Sequence, residues 1–261
     1  MLSLTQGHLK LLEMCPRRYQ YTYLDRFTAP TAPEQLLRQE WGTQFHLVMQ
    51  QRELGLPVDD LLREDADLAT AVDGLLAAAP ELFSHSPGDF RQSEHRRTLI
   101  FNGYLLTAVY DLLVLGPTQG QIIDWKTYQN PPNQRQLTQE WQTRLYLYLL
   151  VETSDLAPEQ VTMTYWFVPP PGAEETPAPP SSIALTYTAA QHHRTRADLQ
   201  RLTDRLTTLL ATPDDLSQVD PERGLCTHCP FAVRCRRSSE RYGLAGVANL
   251  PAIADIAEVP L

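Results

Sequence analysis

Hydrophobic residues recur along this chain in two rhythms, and the change between them organises it. Over residues 34–54 and 61–83, Leu, Phe, Val, Met and Ala return every three or four positions, the period of a helix with one buried face. Residues 3–26 read the same way, so residues 1–89 are expected to form an N-terminal helical cap. From Phe90 to Thr127 the pattern turns to β. TAVYDLLVLG and QIIDWKT are dense in β-branched, aromatic and aliphatic residues, and the GPTQG between them is rich in turn formers, which predicts an antiparallel hairpin. Helical spacing returns over 137–152, strands follow at VTMTYWFVP and SIALTYT, and AAQHHRTRADLQRLTDRLTTLL forms a long amphipathic helix with His192 and His193 on its surface. The proline-rich stretch 169–182 reads as a surface loop, and residues 248–261 as a docking tail or a disordered end. The expected fold class is α/β, a mixed central sheet with flanking helices.

The hairpin carries the first candidate chemistry. Side chains alternate along a strand, so Asp124 and Lys126 project to one face and Trp125 to the other. Tight pairing around Gly116–Gly120 brings Asp111 near Asp124. Two carboxylates that close repel unless a cation lies between them, and oxygen ligands suit Mg²⁺ or Mn²⁺. A lone Asp-x-Lys triplet is more often a strand end than a catalytic group. Its neighbours change the balance: His46 lies in a helical pattern beside Trp41, Phe45, Leu47 and Val48, Glu94 opens another strand-like segment, and Gln142 and Tyr146 stand four apart on one helix face.

In this order, His46, Glu94, Asp111, Asp124-Trp125-Lys126 and Gln142 through Tyr146 resemble the RecB-like branch of the PD-(D/E)XK nucleases. The resemblance implies a restriction-endonuclease-like core. It also implies a divalent ion held by His46, Asp111, Asp124 and the backbone carbonyl of Trp125. In the same reading Lys126 orients the attacking water, Glu94 supports the pocket, and Gln142 and Tyr146 position the DNA strand. Asp124 stands where many relatives carry Glu, which leans the likeness toward RecB- and AddB-type members.

Cysteine usage adds a second signal. Cys226, Cys229 and Cys235 have the spacing of metal ligands, and Cys15 lies 211 residues before the first of them. The opening residues lack the pattern of a secretory signal and no long apolar run follows, so a reducing cytoplasm and no membrane association are expected. Zinc, with His228 as a spare ligand, a [2Fe–2S] cluster and a [4Fe–4S] cluster all accept thiolates. The pairing of a lone N-terminal Cys-Pro-Arg-Arg with a C-terminal triplet resembles the iron–sulfur staple of AddB-type and CRISPR spacer-acquisition nucleases, which implies [4Fe–4S] and a cap stapled to the C-terminal end. The domain reading is then 1–89 helical cap, 90–220 nuclease core, 221–243 cluster segment and 244–261 tail.

Composition bounds the function. With 261 residues and 43% hydrophobic content the chain can bury a sizeable core, and no GxxxxGK[ST] loop is present, so any unwinding falls to a helicase or other partner. A net charge of −9 disfavours wrapping duplex DNA by general attraction. Arg17 and Arg18 beside Cys15, with Arg234 and Arg236 beside Cys235, form a basic rim suited to single strands. The reading is a metal-dependent exonuclease for single-stranded DNA in repair, recombination or CRISPR adaptation. Its rival is a silent DNA-binding or protein-interaction subunit with a structural cluster or zinc.

Overall fold

The structure, a computed structural model, describes residues 1–29, 31–84, 88–128, 131–170, 179–212 and 215–237. Residues 171–178 of the expected loop and all of the expected tail lie outside these. In chain order the elements are β1 (Ser3–Leu4), α1 (Gln6–Met14), α2 (Pro16–Tyr19), α3 (Pro33–Glu53), α4 (Asp59–Glu64), α5 (Ala66–Ala78), β2 (Phe90–Phe101), β3 (Tyr104–Leu115), β4 (Gly120–Lys126), α6 (Gln134–Gln139), α7 (Trp141–Glu152), β5 (Val161–Phe167), β6 (Ser181–Thr186) and α8 (Ala189–Leu210). They fall into two compact units. One takes in Met1–Lys10 and Pro30–Thr212, the other Leu11–Ala29 and Pro213–Leu261.

The larger unit is built on a mixed sheet in the order β1-β3-β4-β5-β6, with β2 on β3. The predicted hairpin is β3–β4, antiparallel from Leu112↔Ile123 to Leu115↔Gly120. From β4 the chain crosses over through α6 and α7 and returns as β5, parallel to β4. α7 is buried on nearly every side, as its apolar sequence requires. The opposite face of the sheet is covered by α3 and α5, whose Phe45, Met49, Val72 and Leu75 pack with Leu112, Ile123, Trp125 and Trp166. Asp65 caps α5 by accepting a hydrogen bond from the Leu68 amide at 2.9 Å.

Several expectations shift in detail. The helix expected over 3–26 is broken into β1, α1, α2 and a π-helical turn at Gln20–Leu24. Pro16 starts α2 after an extended Cys15, so no helix can run through that point. The helix over 61–83 resolves into α4, α5 and a short 3-10 turn at Pro80–Phe83. His192 is not a surface residue: it is buried, stacks on Tyr148 at 4.7 Å and meets Glu152 Oε1 at 2.9 Å. His193 is exposed.

In the smaller unit, Arg17 is held by Asp215 and by the Leu216 carbonyl at 2.5 Å. Tyr21 meets Phe231 edge to face at 5.3 Å, and the Arg234 guanidinium lies 4.0 Å over the Phe27 ring.

Candidate active site and cysteine cavity

The acidic residues stand where two strands change faces. In β2, Arg91 pairs with Glu53 of α3, whereas Arg97 bonds Thr153 at the end of α7 on the other side of the sheet. Residues of one parity therefore face opposite layers before and after Glu94, which is left-handed at φ 49°. β3 switches at the same level: Leu112 packs with α3 and α5, while the Tyr110 hydroxyl donates to the Tyr146 carbonyl of α7 at 3.0 Å. Glu94 lies across from Asp111, between the pairs Ser93↔Leu112 and His95↔Tyr110. A left-handed glutamate inside a strand is strained, and such strain is held where the surroundings over-determine it, often at functional sites.

Asp111 also ends the hairpin. The β3–β4 ladder runs from Leu115↔Gly120 only as far as Leu112↔Ile123, and the next amide, Trp125 N–H, donates instead to Asp111 Oδ2 at 2.7 Å. His46 on α3 brings its Nδ1 to 3.4 Å from the same oxygen. His46, Glu94 and Asp111 each offer a ligand atom, all within 4.8 Å of one another. One imidazole nitrogen and carboxylate oxygens form a donor set that fits Mg²⁺ or Mn²⁺.

Asp124 and Lys126 occupy the other face, as alternation requires. Asp124 is buried, with Oδ1 2.5 Å from Lys126 Nζ and Oδ2 accepting from Gln142 Nε2 at 2.6 Å. Lys126 Nζ also donates to Gln142 Oε1 at 2.9 Å and lies 5.4 Å over the Tyr165 ring. Tyr146 is buried, hydrogen-bonded to the Gln142 side chain and to the backbone of Val109, so it braces Gln142 from behind.

Electrostatics couple the two halves. Burial, then the Asp111 charge, pushes Asp124 above the usual carboxylate range, with Lys126 and His46 opposing. Burial works against charge on Lys126, but Asp124 outweighs it and keeps the ammonium protonated. Burial likewise disfavours a charged His46, yet its hydrogen bond to Asp111 and the fields of Asp111 and Asp124 raise its pKa overall. Partial burial and Asp111 raise Glu94, against His46.

Glu94, expected as a supporting residue, joins His46 and Asp111 in the donor cluster. Asp124, expected as a ligand, is bracketed by Lys126 and Gln142. Trp125, expected to lend its carbonyl, is fixed through its amide on Asp111 and through its buried ring against the α3 layer. Sequence reasoning passed over Gly42, which sits four residues before His46 on α3. A Cβ there would meet Thr127 Oγ1 at 2.8 Å, so glycine lets the helix approach the end of β4. A lone glycine inside an otherwise regular helix is the signal that would have found it.

The smaller unit gathers the four cysteines. Cys15, Cys226, Cys229 and Cys235 line one cavity with Met14 and Arg18, and all four are free thiols. Burial, followed by the neighbouring Cys229 and Cys15, raises the Cys235 thiol. His228 is exposed and does not line the cavity. Arg18 Nη1 contacts Met14 Sδ at 3.6 Å, and the bonded Arg17 is a structural tie within this unit.

The sequence matches the family model of the PD-(D/E)XK nuclease superfamily over residues 3–236. The chain belongs to that superfamily. This PD-(D/E)XK nuclease has the restriction-endonuclease-like fold expected of it, a mixed sheet with helices on both faces. Among solved structures it is similar to SSO0001, at 12% identity and TM-score 0.40, covering 89% of this chain and 85% of that one. It is also similar to a proposed exonuclease from Eubacterium rectale, at 12% identity and TM-score 0.49, covering 85% of this chain and 87% of that one. No curated protein matches the sequence. Among the described residues, no helix of the nuclease is long and apolar enough to cross a membrane.

Proposed function

We propose that this nuclease is a Mg²⁺- or Mn²⁺-dependent deoxyribonuclease that degrades single-stranded DNA from an end. The observation that carries the reading is the convergence of His46, Glu94 and Asp111 within 4.8 Å, beside a lysine held by Asp124 and Gln142. A bound divalent ion supplies Lewis acidity to a phosphoryl oxygen. His46, Glu94 and Asp111 would hold it.

The chain's own groups do the rest. Asp124 and Gln142 fix the Lys126 ammonium, which places positive charge where negative charge develops and orients the attacking water. Tyr146 holds Gln142 in place. Asp111 serves both halves, since its carboxylate meets His46 and the Trp125 amide. The net charge of −9 disfavours holding duplex DNA by general attraction, which favours a single strand as substrate, and a separate helicase would supply it.

Four cysteines lining one cavity support a [4Fe–4S] cluster in the smaller unit, with [2Fe–2S] or zinc as the alternatives a metal analysis separates. Thiolate ligation fits a reducing compartment such as the cytoplasm. DNA repair, recombination or CRISPR adaptation are the settings this activity suits. The test is digestion of end-labelled single- and double-stranded DNA with and without Mn²⁺. Metal-dependent loss of the single strand from one end is expected, and Lys126→Ala should slow it at least ~100-fold. A native rate in Lys126→Ala refutes the assignment.

A further inference from the structure

Beyond Lys126, the same face of the sheet ends in a row of aromatic rings. Lys126 Nζ lies 5.4 Å over the Tyr165 ring, and Tyr165 stacks on Phe167 at 6.4 Å. Phe167 in turn meets Tyr128 at 5.6 Å, with the ring planes at 63°. Tyr165 and Phe167 are buried, whereas Tyr128 is 40% exposed. Among the described residues it is the one exposed tyrosine. The other exposed Phe, Tyr or Trp ring, Phe90, pairs with Leu115 at the opposite end of the hairpin.

A lone exposed aromatic is ordinary on a protein surface, so exposure alone marks nothing. Tyr128 differs in how it is held and in what it borders. Thr127 ties down the backbone just before it, since α3 passes so close that a Cβ on Gly42 would stand 2.8 Å from Thr127 Oγ1. Phe167 backs the ring itself. The ring is therefore ordered before any substrate arrives, and stacking on it costs little further ordering.

The catalytic groups are close by. Partial burial raises the pKa of the Tyr128 hydroxyl, and the charges of Lys126, Asp124 and Glu140 reach it as well, Lys126 in the opposite sense. Two residues along the chain, the Lys126 and Tyr128 Cα atoms lie at most about 7 Å apart. A fixed, part-open ring that near an ammonium aimed at a phosphate suits a nucleobase. Every base has a π-face, and the phenol oxygen keeps the ring compatible with water when no base is there.

We propose that Tyr128 is a stacking platform on which the base of the nucleotide adjoining the cleaved phosphate lies, setting the register of the strand over Lys126. The proposal rests on the nuclease reading above and gives it a contact with the substrate. Stacking of this kind needs an unpaired base, so the platform takes a single strand in preference to closed duplex.

The test uses single-stranded oligo-dT with one abasic site placed at successive positions from the digested end. Affinity is read by fluorescence anisotropy with Ca²⁺ in place of Mn²⁺, and kcat and KM by Mn²⁺-dependent digestion. In wild type, loss of the base at one position should weaken binding roughly 5- to 100-fold, and loss at the others far less. Tyr128→Leu should weaken binding of the intact strand by a similar factor and abolish the sensitivity at that position, so that the two losses do not multiply. Its loss in digestion should fall mainly on KM. Tyr128→Phe keeps the ring and should keep wild-type affinity. Unchanged thermal melting shows that the variants are folded.

A wild type indifferent to the abasic site at every position overturns the platform without recourse to any variant. Losses that multiply in Tyr128→Leu overturn it too, as does a Tyr128→Phe protein as weak as Tyr128→Leu, which assigns the contact to the hydroxyl. With metal-dependent cutting intact, each of these results leaves the nuclease reading standing. If nothing is cut, the nuclease reading fails and the binding arm still decides: losses that do not multiply uphold the platform, and any other pattern, or no binding, overturns it.

Discussion

Gly42→Ala tests whether the approach of α3 to the end of β4 sets the donor cluster. In a helix interior, replacing glycine by alanine ordinarily stabilises by about 1 kcal/mol. Here the new methyl would stand 2.8 Å from Thr127 Oγ1, so about 0.6 Å must be given up to reach ordinary contact. Overpacking of that kind costs about 1–3 kcal/mol. The single variant should therefore range from neutral to roughly 2 kcal/mol less stable, against a gain were the site open. Because His46 follows one turn later on the same helix face, the displacement carries to the His46–Asp111 contact. Mn²⁺ affinity by titration calorimetry should fall several-fold. Thr127→Ala removes the obstructing oxygen, so in that background Gly42→Ala should stabilise by about 1 kcal/mol and restore Mn²⁺ binding. Urea unfolding of the four proteins measures the coupling. Gly42→Ala that is fully stabilised in the wild-type background, with unchanged Mn²⁺ affinity, refutes the close-approach argument.

Other perturbations address separate parts. His46 has its pKa raised in the metal-free protein, so the stability from its contact with Asp111 is complete below about pH 6.5 and is lost as pH rises through the folded value. Metal-free melting between pH 5.5 and 8.5 should fall relative to His46→Gln across that window, while Mn²⁺ affinity rises; parallel curves for the two proteins exclude the linkage. Asp65→Ala removes the α5 cap and should cost about 1 kcal/mol in urea with activity retained. Cys229→Ser should lose bound iron and visible absorption and melt earlier, and retention of all three shows that the thiol is not a ligand.

The hairpin and the helix carrying Gln142 and Tyr146 were legible because their signals are local: strand periodicity, turn formers in GPTQG, and four-residue spacing. Placing Asp124 and Lys126 on one face needed only alternation. The partner of Asp111 was not legible, since Glu94 reaches it through a left-handed backbone that reverses alternation in β2, and no composition signal marks that reversal in a glutamate. His192 looked exposed because its helix is polar there. Its burial comes from Tyr148 and Glu152, at the far end of α7, a tertiary contact no helical period reveals. The break at Cys15-Pro16 was visible in the sequence but was overridden by the apolar spacing around it.

The face switch at Glu94 and Asp111 has a consequence for tolerance to insertions. A strand that keeps one face buried can absorb a slip of two residues with its pattern intact. Here the halves of β2 on either side of Glu94 bury opposite faces, so a slip in either direction carries residues meant for one layer past the crossing point and turns them toward the other. The acidic pair thus acts as a fixed index mark on the sheet. A chain paired one notch off would have neither core closed and no donor cluster assembled, so cutting power arises only in molecules that have found their final pairing.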